Sequence, residues 1–327
     1  MKRNGAVMGA ACAAILISLG GWAADHRIAD AGSSRESIEW KTVVSIEDEG
    51  VPLYSRPEGS NVKTPQAPGT VTFNSNSVIV DASNTGHGYV MIQYTGSASK
   101  IKVQVLKSGG ETYTYDLNAR SAYEVFPLTE GNGGYTVRVL EHVQGNQYAV
   151  KSSSDINVTL ANEFEPFLYP NQYVNFSAGS AVVKKGAELA SPAADALGVV
   201  TNVYNFVVKN FTYDTALANS VQSGYLPDVD LALARKKGIC FDYAAVMTAM
   251  LRSQNIPTKL VVGYTGSLYH AWVNVYIDGQ GWVDNIIYFD GYQWKLMDPT
   301  FASSGGSDPS IQEYIKNSSN YKAKYTY

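Results

Sequence analysis

Gly238-Ile239-Cys240-Phe241-Asp242-Tyr243-Ala244-Ala245-Val246-Met247-Thr248-Ala249-Met250-Leu251-Arg252-Ser253 is the most informative stretch of the chain. Gly238 permits a tight turn, and the run behind it predicts a helix from Cys240 through Ser253, ended before Pro257. Cys240 then lies in the first turn, where unsatisfied N–H groups and the positive end of the helix dipole favour thiolate over thiol. A cysteine in such a place can fall by one to several units below its usual pKa of ~8.5, and the thiolate is the nucleophilic form. The same N–H groups suit an oxyanion formed when a carbonyl is attacked.

Cysteine arithmetic supports a special role for this residue. The chain has two cysteines, Cys12 and Cys240. Cys12 lies in an opening segment that reads as a secretory signal: Met1-Lys2-Arg3, an apolar run from Ala6 to Leu19, then Gly20-Gly21-Trp22-Ala23-Ala24. The run is shorter than the roughly 20 residues of a spanning helix, so cleavage after Ala23 or Ala24 is expected, leaving no membrane span. Loss of Lys2 and Arg3 moves the net charge from −4 to −6. Cys240 would then have no internal disulfide partner. An acidic balance argues against nucleic acid as the main partner.

Further out, the texture divides the chain. Residues 25–69 are polar with scattered Pro and Ser and read as a linker or arm. Residues 70–162 hold short alternating runs, among them 77–81, 87–94, 101–106, 112–115, 135–141 and 147–151, separated by Gly-rich turns such as Glu130-Gly131-Asn132-Gly133-Gly134. That spacing predicts an antiparallel β-sandwich of immunoglobulin-like type, with many tyrosines paving its sheets. Residues 163–327 turn helical and then strand-like. Ser191-Pro192 reads as a helix start, followed by Leu197, Val200, Val203, Tyr204 and Val207 at helical spacing. A short helix is expected from Leu231 to Lys237, and another near Ile311–Lys316. Strands are expected over 259–264, 271–277, 281–283 and 294–298. The fold class predicted is α+β.

A thiolate needs a base. Of the four histidines, His26 follows the cleavage point, and His87 and His142 fall in the predicted sandwich. Only His270 shares a domain with Cys240. Alternation puts His270, Trp272, Asn274 and Tyr276 on one face of their strand. A carboxylate would fix the imidazole tautomer. Asp298, which closes a strand before Pro299, is favoured, with Asp284 and Asp290 as competitors in a Gly/Asn-rich connection. Tyr225-Leu226-Pro227-Asp228 reads either as a rim of the cleft or as a connector. No acidic cluster has calcium-loop spacing, so no metal or other cofactor is expected.

Residues 238–244 resemble the nucleophile motif of the transglutaminase-like superfamily. Leu251-Arg252-Ser253-Gln254-Asn255-Ile256-Pro257 with Val262-Gly263-Tyr264 resembles the stretch that follows it there, His270-Ala271-Trp272 the histidine block, and Met297-Asp298-Pro299-Thr300 the aspartate block. The resemblance covers about residues 190–302. It implies a papain-like core with Cys240 as nucleophile, His270 as base and Asp298 as orienting carboxylate. Asp242 matches a frequent position of the family and reads as support for the nucleophile helix, with Tyr243 beside it. The implied chemistry is attack on a peptide amide to give a thioester. Hydrolysis is the favoured outcome; acyl transfer to an amine and an idle surface binding module are the alternatives. The expected partner is a protein or peptide substrate, such as a cell-surface or cell-wall peptide. Intact-mass measurement of the exported protein should place its N-terminus at Ala24 or Asp25, and retention of Met1 would contradict the signal reading.

Overall fold

A computed structural model describes residues 62–279, 281–283, 287–289, 294–296 and 321–327. The predicted signal segment, His26, most of the arm, the Ile311–Lys316 helix and Asp284, Asp290 and Asp298 lie outside the described residues. The first part of the described chain builds two four-stranded antiparallel sheets. One has the order β1-β2-β3-β6, from β1 (Thr72–Ser75), β2 (Val78–Asp81), β3 (Tyr89–Tyr94) and β6 (Tyr123–Pro127). The other has the order β5-β4-β7-β8, from β4 (Ile101–Lys107), β5 (Thr112–Asp116), β7 (Gly133–Gln144) and β8 (Gln147–Val158). Alternation explains the burial: Ile101, Val103 and Val105 turn inward, and Val103 and Val105 stand opposite Val139 and Val137. Val78, Val80, Val90, Ile92 and Phe126 of the first sheet belong to the same core. Tyr94 spans the two sheets by donating to Glu141 at 2.7 Å. β1 and β6 escaped the sequence reading because neither presents a run of alternating aliphatic residues.

Helices dominate next: α1 (Ala181–Ala190), α2 (Ala196–Asn210), α3 (Thr215–Ser220), α4 (Val229–Arg235) and α5 (Cys240–Ser253). Two short strands, β9 (Thr212–Tyr213) and β10 (Lys237–Gly238), pair in parallel just before α5. The expected helix start at Ser191-Pro192 is a turn instead. The chain ends α1 at Ala190, and α2 is capped by Asp195, whose carboxylate accepts the Gly198 N–H at 2.7 Å. α1 was missed because Lys184, Lys185 and Gly186 interrupt its apolar pattern. Gly186 has a packing reason: a Cβ there would lie 3.0 Å from the Met250 carbonyl, so it lets α1 approach α5 closely. α4 begins two residues earlier than expected, capped by Asp228, and ends where Lys236 adopts a left-handed conformation.

α5 is apolar on nearly every side, and the residues from Tyr243 to Leu251 are at most 1% exposed. A helix of this kind belongs inside a domain. It packs on α1, α2 and α4 and on a sheet of order β13-β12-β11-β16. The strands are β11 (Thr258–Thr265), β12 (Leu268–Ile277), β13 (Gly281–Val283) and β16 (Tyr321–Thr326). β14 (Ile287–Phe289) and β15 (Trp294–Leu296) form a separate antiparallel pair. β16 was not anticipated, although Tyr321, Ala323 and Tyr325 alternate with lysines.

Arg252, at the end of α5, is fully buried. Its guanidinium donates to the carbonyls of Thr258 at 2.9 Å, Tyr169 at 2.6 Å and Tyr327 at 2.7 Å. It thus joins α5 to β11, to the segment after the first two sheets and to the residue after β16. Burial lowers its pKa to about 9, which leaves it charged at neutral pH. Nearby, Thr129 donates to the Thr326 carbonyl at 2.7 Å, and the Thr326 N–H reaches the Tyr113 hydroxyl at 3.2 Å. Tyr113, Tyr115, Tyr173, Tyr325 and Tyr327 pack ring against ring here. Replacing Arg252 with Leu removes this donor from the Thr258 and Tyr169 carbonyls, at roughly 1–3 kcal/mol for each left without another donor, while the Tyr327 carbonyl keeps the Leu260 N–H. Urea denaturation should show a loss of at least ~2 kcal/mol; an unchanged midpoint would contradict this role.

Candidate active site

Cys240 is the first residue of α5 and is 2% exposed. The residue before it, Ile239, is extended and offers no side-chain oxygen to the orphan N–H groups of the helix start. Asp242 takes a reciprocal part. One of its oxygens accepts the Ile239 N–H at 2.8 Å, and the other accepts the Tyr225 hydroxyl at 2.6 Å. This carboxylate is itself 2% exposed. The chain leading into the helix is fixed by β9: the Asp214 N–H donates to the Gly238 carbonyl at 2.8 Å and the Thr212 N–H to the Lys236 carbonyl at 3.0 Å. Gly238 serves a close approach, since a Cβ on it would lie 2.5 Å from the Cβ of Asp242.

Two other residues singled out from sequence lie close to this turn in the chain or in space. Tyr225 is half-buried in the segment between α3 and α4, and burial first, then the Asp242 carboxylate, pushes its hydroxyl pKa up. Tyr243 faces the core, with its ring 5.4 Å from that of Phe211. Phe241 packs on Tyr173, which ties the helix start to the tyrosine cluster.

His270 sits on β12, 3% exposed and opposite Gly263 of β11. Its ring lies 6.3 Å from that of Trp272, nearly parallel, and 6.4 Å from that of Tyr321. The shared face expected of His270 and Trp272 is therefore present, and Val261 and Tyr321 belong to it. Ala271, Val273 and Val275 turn to the other face and join the core that contains α5. α5 packs against β12, so Cys240 and His270 stand on neighbouring elements. A bulge at Val262/Gly263 shapes the pairing with β16. Gly263 is obligatory there, because a Cβ would collide with the Lys322 carbonyl and lie 2.9 Å from the Trp272 ring. The Trp272 indole N–H is buried, with no acceptor among the described residues. Tyr321 is the site neighbour that sequence reasoning missed; only its alternation with Lys322 and Lys324 signalled a strand. Asp298 lies outside the described residues, as do its competitors Asp284 and Asp290.

Among the described residues, no three His, Cys, Asp or Glu side chains come together as metal ligands. None of the described helices is long and apolar enough to cross a membrane.

Comparison with known proteins places a family core here. Residues 184–299 match the profile of the transglutaminase-like superfamily. A curated relative, the uncharacterized protein YebA of Bacillus subtilis (strain 168), is 38% identical in a 66-residue alignment that covers 15% of this chain and 9% of YebA. The chain therefore matches under a tenth of that relative's length. Two solved structures show distant likeness. One is a protein of Cytophaga hutchinsonii provisionally described as a cysteine protease: 15% identity over 65% of this chain and 78% of that one, TM-score 0.34. The other is the periplasmic domain of TgpA from Pseudomonas aeruginosa, bound to ethylmercury: 14% identity over 74% of this chain and 99% of that one, TM-score 0.33.

The close approach at the helix start makes a direct prediction. Gly238→Ala should cost about 1–3 kcal/mol, the usual range for overpacking, because the new methyl displaces Asp242 from its cap. Chemical denaturation would measure it; an unchanged midpoint would show that the cap tolerates a side chain there.

Proposed function

We propose, from a chain whose residues 184–299 are a transglutaminase-like core, that this protein is a thiol enzyme acting on peptide amides. The observation that carries the reading is Cys240 itself, the first residue of a buried helix on the strand that bears His270. In this reading the Cys240 thiolate attacks the amide carbonyl, and N–H groups of the first turn of α5 receive the oxyanion. His270 takes the thiol proton and returns it to the leaving amine, while Asp298 holds the imidazolium. The resulting thioester is released by water.

Hydrolysis is favoured because water needs no acceptor site, whereas an amine does. The leader built on Lys2, Arg3 and the apolar run assigns the protein to export, with a cell-surface or cell-wall peptide as substrate and no nucleic acid or cofactor involved. The two sheets within residues 70–162 are assigned as an immunoglobulin-like unit ahead of a catalytic unit over 163–327. Their shared core and antiparallel pairing support this assignment.

A single assay separates the readings. The mature protein and Cys240→Ala are incubated with a quenched-fluorescent peptide library and, in parallel, with casein plus a biotinylated primary amine. Peptide cleavage that disappears in Cys240→Ala is the expected result. Amine incorporation without cleavage would instead make the protein an acyltransferase. Equal, background-level behaviour of both proteins would overturn the enzymatic reading.

A further inference from the structure

We infer that Tyr225 is a positioning residue for the nucleophile, acting by masking the charge of Asp242. The inference rests on Cys240 being the nucleophile of the proposed reaction. Asp242 is an awkward neighbour for a thiolate. It is a buried carboxylate two residues beyond Cys240, in the same helical turn, and a like charge there opposes ionisation of the thiol. The helix start still needs it, because its second oxygen caps the Ile239 N–H at 2.8 Å. Burial of such a charge is tolerable only when its lone pairs are satisfied. Tyr225 supplies a second donor at 2.6 Å, a short, charge-assisted hydrogen bond.

The consequence concerns both position and charge. With the Tyr225 hydroxyl in place, part of the carboxylate's charge is drawn toward the phenol and away from the thiol. The rotamer that leaves the Ile239 N–H capped is also held. The segment bearing Tyr225 is itself anchored. Its own N–H closes a turn onto the Gln222 carbonyl, and Gly224 comes so near β5 that a Cβ there would lie 3.3 Å from the Asp116 carboxylate. Other charged groups bear on the site. Asp214 and Asp228 act on Tyr225 from the starts of α3 and α4, Lys237 offsets Asp214 at 3.2 Å, and His270 lies on β12, which packs against α5 through its other face. Tyr225 hydrogen-bonds the Asp242 carboxylate from outside α5.

The test is a charge-dependent mutant cycle. The ultraviolet absorbance of the Cys240 thiolate, taken as the difference between each protein and its Cys240→Ser counterpart, is titrated in four mature proteins. These are wild type, Tyr225→Phe, Asp242→Asn and the double variant. Asn keeps a carbonyl oxygen for the Ile239 N–H while removing the charge. Tyr225→Phe should raise the apparent thiol pKa by ~0.5–1 unit, and the same substitution should change nothing in the Asp242→Asn background. No rise in Tyr225→Phe would overturn the inference, and so would an equal rise in both backgrounds, which would mark a merely structural role. The wild-type curve reads the underlying premise separately. An ordinary thiol titrating near ~8.5 would remove the nucleophile reading while the Tyr225 comparison still decides the masking.

Discussion

The guanidinium of Arg252 is the contact on which the second half of the molecule depends. Its three carbonyl partners, Tyr169, Thr258 and Tyr327, belong to segments far apart in sequence. A single planar donor group fits such a convergence in a way that a lysine ammonium does not. It closes α5 at its C-terminal end while Asp242 closes it at the other, so both ends of the buried helix are held by polar side chains of its own. The helix between them is packed on all sides, which leaves its first turn little freedom to drift. In the proposed reaction this arrangement would give the Cys240 nucleophile its precision.

The same contact unites the two halves of the described chain. Tyr327 is hydrogen-bonded both ways to Leu260 and held by Arg252, while the adjacent Thr326 is gripped by Thr129 and Tyr113 of the sheet-forming half. β16 therefore completes the sheet that carries His270 and also docks on β5 and the turn after β6. Tyr321, at the other end of β16, lies against Trp272 at 5.3 Å. One strand thus connects the tyrosine cluster between the halves to the aromatic wall beside His270.

Much of this was legible in the sequence, for identifiable reasons. The start of α5 was readable because a glycine, a cysteine and a long apolar run coincide there, and its observed span, Cys240–Ser253, is the predicted one. The face shared by His270 and Trp272 followed from strand alternation. Other features were hidden by non-local physics. Ser191-Pro192 carries the local chemistry of a helix start, but Asp195 a few residues later caps the actual helix, a choice that packing makes. α1 carries a glycine in its interior, which propensity penalises and contact with α5 rewards. The roles of Tyr321 and Arg252 depend on partners far along the chain, which a local pattern does not reveal. The Tyr225–Asp242 contact spans 17 residues with α4 between them, so the sequence showed only a tyrosine in a cleft rim or a connector.

The proposed function requires Cys240, buried at the start of α5, to ionise with the help of His270 and to be reached by a small electrophile. The most direct measurement is the pH dependence of Cys240 alkylation by iodoacetamide in the mature protein, compared with His270→Ala. The account predicts rapid labelling well below pH ~8 that the substitution abolishes. Labelling that follows an ordinary thiol of pKa ~8.5 in both proteins, or that requires unfolding, would contradict it.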